Sequence, residues 1–143
     1  MLAATHRSSA LVNGSLAFCI VSAVGVAGAV LLYFVEPTTA PLFPMCPFHA
    51  LTGLHCPGCG TSRALHQLLH GDIVAALDFN VLSTLFVPVI AWTWISHGLQ
   101  TMGHRPLPSI QWRPAALWTL LAVVVLFWIA RNLPFYPLTV LAP

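Results

Sequence analysis

Lysine is absent from this chain of 143 residues, and five arginines with three acids make up its whole charged complement, 6% of the residues. Soluble domains carry about 25% charged residues, so the shortage argues against a water-soluble monomer. Arg7, Arg63, Arg105, Arg113 and Arg131 are scattered along the chain. That spacing excludes nucleic acid as a partner, which needs a clustered basic face. It equally excludes a charged disordered tail. Internal repeats, low-complexity tracts and any βαβ pattern are also missing, and the last absence matters for the cysteine chemistry below.

What is present is apolar: 58% of the residues are hydrophobic. Three uncharged stretches, 15–35, 79–99 and 114–130, approach or reach the roughly 20 residues that a helix needs to cross the hydrocarbon core. The third is the shortest. The first resembles a cleavable leader in having Arg7 before it and Ala27-Gly28-Ala29 within it, but its apolar run continues to Val35, beyond an ordinary leader core, which favours an anchor. Trp92, Trp94, Trp112, Trp118 and Trp128 flank or punctuate the later spans as bilayer anchors, with Tyr33 and Phe34 at the end of the first. Pro88 predicts a kink in the second span, with Ser83 and Thr84 able to satisfy freed backbone groups. Cys19 reads as a small buried hydrophobe within the first. The expected fold is therefore an all-α integral membrane domain spanning residues 1–143, with about three transmembrane helices.

Residues 36–78 form the one sizeable stretch outside these spans. Pro37, Pro41, Pro44 and Pro47 predict an extended path toward the cysteines. From Thr61 or Ser62, either a suitable N-cap, Ala64, Leu65, Leu68 and Leu69 recur at helical spacing until Gly71. This predicts a short amphipathic helix after the cysteine loop. Its other face carries Arg63, His66 and His70, at i, i+3 and i+7, as a candidate contact for an anion or lipid headgroup. Asp72 then caps a second piece, 73–77.

Chemistry concentrates in Cys56-Pro57-Gly58-Cys59-Gly60. Two thiolates two residues apart reach one tetrahedral ion, proline stiffens the turn, and glycine lets the backbone curl around sulfur. Cys46 and His49 supply a second pair in the spacing Cys-x2-His. Cys46, His49, Cys56 and Cys59 thus form the preferred ligand set for a zinc knuckle, with His55, His66 or His70 as alternatives for the fourth position. A disulfide-stabilised loop is the structural alternative. A membrane thiol-disulfide oxidoreductase is the catalytic one, since Cys59 stands at a helix start where a thiolate is stabilised. The missing βαβ surroundings weigh against catalysis, and the reading favours an accessory or interaction subunit, with the lipid bilayer and another membrane protein or a second copy as partners. Arginine placement puts the N-terminus inside and the cysteine loop outside in a multi-pass cell-membrane protein.

The ordered set Cys46-Pro47, Thr52-Gly53, Cys56-Pro57-Gly58-Cys59-Gly60, Arg63-Ala64, Gly71-Asp72, Ala75-Ala76 and Asn80 resembles a family of small bacterial membrane proteins known as a domain of unknown function. The resemblance covers about a third of the chain and implies bacterial origin and a helical membrane fold. It implies no activity. Ser62 stands where the family usually has threonine, Val81 where it has proline, and His49 is outside its pattern.

Overall fold

The computed structural model describes residues 2–38, 43, 46–108 and 113–135, with side chains from residue 14 onward. All regular elements among them are helices: α1 (Leu2–Phe34), α2 (Pro47–Thr52), α3 (Thr61–Leu69), α4 (Ile73–Thr101) and α5 (Pro114–Ala130). Strands are absent among the described residues, and the all-α class expected from the apolar runs is the observed one.

Two helices are long and apolar enough to cross a membrane: Gly14–Phe34 within α1, with mean hydropathy 2.4, and Ile73–Thr101, with 2.0. Only 0% and 17% of their most apolar windows are buried in the protein. The core helix of a soluble protein would be wrapped by its own chain, whereas Leu16, Ile20, Val24, Val26, Leu85 and Ile90 stand exposed, as lipid-facing residues do. α5 is a shorter apolar helix of 17 residues. Cys19 is exposed rather than buried, because its turn of α1 belongs to the same uncovered surface.

The chain divides into two compact units. One takes residues 1–31 and 89–110. It is held by aromatic contact: Phe18 stacks on Trp94 at 5.0 Å and meets His97 edge-on at 5.5 Å. Trp94 donates its indole N–H to Ser22 Oγ at 3.2 Å. A Cβ at the buried Gly98 would lie 3.0 Å from Phe18 Cζ, so glycine is what lets the ring approach this helix.

The other unit takes residues 32–88 and 111–143 and contains the cysteines. α4 opens there as expected, with Asp72 Oδ1 accepting the Ala75 N–H at 2.9 Å. Its backbone break is at Asn80 (φ −163°, ψ 98°), while Pro88 stays within the helix. The expected role of Ser83 and Thr84 moves accordingly. Thr84 Oγ1 lies 3.0 Å from the Ala76 carbonyl and 2.8 Å from that of Asn80, serving the acceptors around the break. Ser83 Oγ pairs with Thr61 Oγ1 at 2.6 Å.

The proline-rich approach also differs from expectation. Pro41 and Pro44 lie outside the described residues, Pro37 sits in a turn, and Pro47 opens α2. Proline suits a first helical position because the N–H it lacks would have had no intrahelical partner. α3 begins as predicted, but its N-cap is Gly60 and neither Thr61 nor Ser62. The Thr61 hydroxyl is engaged with Ser83 instead.

Candidate metal centre

The turn at residues 57–60 brings the knuckle together. Cys59 N–H donates to the Cys56 carbonyl and Thr61 N–H to that of Gly58, each at 3.1 Å. Gly60 leaves the turn with φ 85°, left-handed backbone that a β-carbon would strain by roughly 1–2 kcal/mol. The last glycine of the motif is thus explained by the sharp entry into α3. Cys56 N–H in turn donates to Cys59 Sγ at 3.2 Å, a hydrogen bond suited to a sulfur carrying negative charge.

Cys46, the N-cap of α2, joins the pair from ten residues upstream. Its sulfur lies 3.5 Å from Cys56 Sγ, which lies 3.1 Å from Cys59 Sγ. All three sulfurs fall within 4.8 Å of one another. Zn–S bonds of about 2.3 Å in a tetrahedron put sulfurs about 3.8 Å apart, so the cluster fits a tetrahedral ion after small rotamer adjustments. The three are free thiols.

His49 is not in that group. It lines the same cavity, stacked on His55 at 4.4 Å and 15°, with a buried Nδ1 that meets no hydrogen-bond partner. The cavity measures about 650 Å³ and is walled by the three cysteines, both histidines, Ser62, Arg63 and the turn glycines. Arg63 also lies over the Phe79 ring, 5.4 Å from its centre. Of the face expected to gather Arg63, His66 and His70, the two histidine rings meet at 4.4 Å, while Arg63 lines the cavity. His66 Nδ1 bonds the Leu32 carbonyl, and His70 bonds the His66 carbonyl at 2.8 Å while stacking on Tyr33 at 4.4 Å.

The loop is seated by three side chains. Asn80, 1% exposed, donates from Nδ2 to the carbonyls of Pro57 and Cys59, each at 2.9 Å, and accepts the Ser83 N–H at the same distance. Its departure from helical geometry is the physical reason its amide serves the knuckle and the helix restart at once. Asn132 clasps His55 through both backbone groups, accepting its N–H at 2.8 Å and donating to its carbonyl at 2.9 Å. Arg131, 2% exposed, donates from Nη1 toward the carbonyls of Cys56 at 3.3 Å and Pro57 at 3.4 Å. Its Nε and Nη2 are buried without hydrogen-bond partners.

The electrostatics follow from this packing. The nearby His49 backbone N–H, then the Cys56 thiol, hold the Cys46 thiol below its ordinary range. Burial, reinforced by Cys56, pushes Cys59 up to about 12. Burial, then His49 and the two arginines, lowers His55 and favours its neutral ring. Arg131 is lowered by burial and sustained by Cys59 and Cys56. A buried guanidinium is costly without a counter-charge, and here the groups that favour its charge are sulfurs.

Sequence reasoning passed over Arg131 and Asn132 as site residues. The available signal was an arginine followed by asparagine directly after an apolar helix. That pair reads as a topology marker until the loop carbonyls are seen against it.

No curated protein and no solved structure matches the chain. Residues 46–94, which run from Cys46 to Trp94 and include Asn80, match a family model described as a protein of unknown function, DUF2752.

Proposed function

We propose that the chain is an integral membrane protein in which Cys46, Cys56 and Cys59 hold a zinc ion that fixes a small cap on the membrane, serving an accessory or interaction role. The observation carrying this reading is the mutual approach of three sulfurs within 4.8 Å, beside a buried arginine whose charge Cys59 and Cys56 favour. Three thiolates around a divalent ion leave one net negative charge, which Arg131 cancels. Zinc suits the set because thiolate ligands select it and it needs no redox partner. The cap faces outside and the N-terminus inside, in line with the arginine distribution.

A thiol-disulfide exchange reading draws on the lowered Cys46 thiol and the adjacent Cys56–Cys59 pair. The two are separated by metal analysis and thiol titration of purified protein. About one zinc per chain, with thiols that resist alkylation until chelator is added, supports the metal cap. Metal-free protein with a rapidly alkylated thiol supports exchange and overturns it. In chelated protein, a lowered thiol ionises earlier as pH rises and a raised one later, so Cys46 is expected to alkylate before Cys59 across pH 7–9, read by mass spectrometry. An impermeant maleimide applied to intact and permeabilised cells, after chelation, tests the outside placement; labelling only after permeabilisation reverses it.

A further inference from the structure

We infer that the fourth coordination position of the cysteine-held metal is filled from solution, by a small monocarboxylate that enters the adjoining cavity and pairs with Arg63. The inference rests on the metal reading above and deepens it.

Among the described residues, the ligand group contains three sulfurs and no fourth donor. The remaining residues contain by sequence no cysteine, aspartate or glutamate, and a single histidine, His6 in α1. Structural zinc sites close with four protein ligands, whereas sites that bind an outside molecule keep three and leave the fourth open. The three cysteines also wall a cavity of about 650 Å³, room for a small molecule and not merely for a water.

Charge selects the occupant. Arg131 already offsets the net negative charge of three thiolates around a divalent ion, and it sits buried beneath the loop. Arg63 is the second guanidinium near this cluster and it lines the cavity. One further negative charge is therefore what the site can take and remain neutral. A carboxylate satisfies both requirements with one planar group, because one oxygen can ligate the metal while the other meets the guanidinium fork. A thiolate, with a single donor atom, meets only the first. The stacked His49–His55 pair adds a flat ring wall to the same cavity, and the buried His49 Nδ1 is available to a polar group on the ligand.

The experiment is cobalt substitution of the full chain in detergent, followed by titration with acetate. Sulfur-to-cobalt charge-transfer absorption reports that the metal is held by thiolates; its absence overturns the metal reading itself. Where that band is present, saturable changes in the visible ligand-field bands are expected on adding acetate, with apparent affinity weakened at least about tenfold in Arg63→Gln and less in Arg63→Lys. Bands that ignore acetate across the titration overturn the inference while leaving the metal site intact. So does a His49→Ala spectrum that differs from the parent without acetate and becomes acetate-sensitive only then, since that assigns the fourth position to His49. A mercaptan that shifts the bands while acetate shifts them in neither the parent nor Arg63→Gln overturns the choice of carboxylate.

Discussion

The two compact units differ in what holds them. In the unit of residues 1–31 and 89–110, contact is made by rings and small residues: Phe18 against Trp94, His97 and Gly98. The other unit contains every buried residue of the described chain except Gly98, and three of these are polar: Asn80, Thr84 and Arg131. Helix contact within lipid gains little from apolar side chains, because lipid tails are as apolar as they are. In the first unit ring packing is joined by hydrogen bonds that are exposed or half-buried, Trp94 to Ser22 and Trp92 and Ser96 to the carbonyls of Pro108 and Leu107. The second must seat an irregular loop with exposed carbonyls, and backbone of that kind needs specific donors.

Substitutions test the contrast directly. Arg131→Gln should have the largest effect, about 3 kcal/mol of stability and a 10- to 100-fold loss of metal affinity, measured by thermal unfolding in detergent and by chelator competition. Arg131→Lys should recover part of the loss, because Nη1 alone meets the loop carbonyls and an ammonium keeps the charge and a donor. Asn80→Ala comes next at about 2 kcal/mol, since it strands two loop carbonyls and the Ser83 N–H; an unchanged melting temperature would sink the seating role. Gly60→Ala should cost roughly 1–2 kcal/mol for its left-handed backbone. At Gly58, a β-carbon would meet Cys56 Sγ and Thr61 Oγ1 only at 3.9 Å, so Gly58→Ala should stay within about 0.5 kcal/mol of the parent. In the ring-packed unit, Trp94→Phe removes an exposed hydrogen bond to Ser22 and keeps a ring against Phe18, so a shift below about 1 kcal/mol is expected. Were Trp94→Phe as costly as Asn80→Ala, the division between the units would not hold.

The sequence made some of this arrangement readable because its causes are local. Apolar runs located the long helices, Asp72 marked the start of α4, and periodicity placed α3. The close approach of Cys46 to the knuckle agrees with the expected ligand set as far as the three sulfurs. Other features were hidden for identifiable reasons. Pro88 was the obvious helix breaker, yet the break occurs at Asn80, whose side chain gains two loop carbonyls and a helix N–H by leaving helical geometry. Pro47 was grouped with its neighbouring prolines, although the same fixed φ that disfavours helix interiors suits a first turn. Arg131 and Asn132 act on residues some 75 positions away, and no periodicity within a helix reports so distant a partner.

That last separation has a consequence for how the molecule is made. All three thiols precede Arg131 and Asn132 in the chain, by 72 residues or more, the latter pair lying just beyond α5. Contacts between distant segments can form only after the intervening chain exists, and chains emerge N-terminus first at roughly 5–20 residues per second. The ribosome therefore releases the thiols several seconds before the side chains that clasp their loop, an interval in which they are open to oxidation or to a metal-donating chaperone. The cap is finished only once the segment after α5 has been made, so its closure trails the synthesis of its ligands.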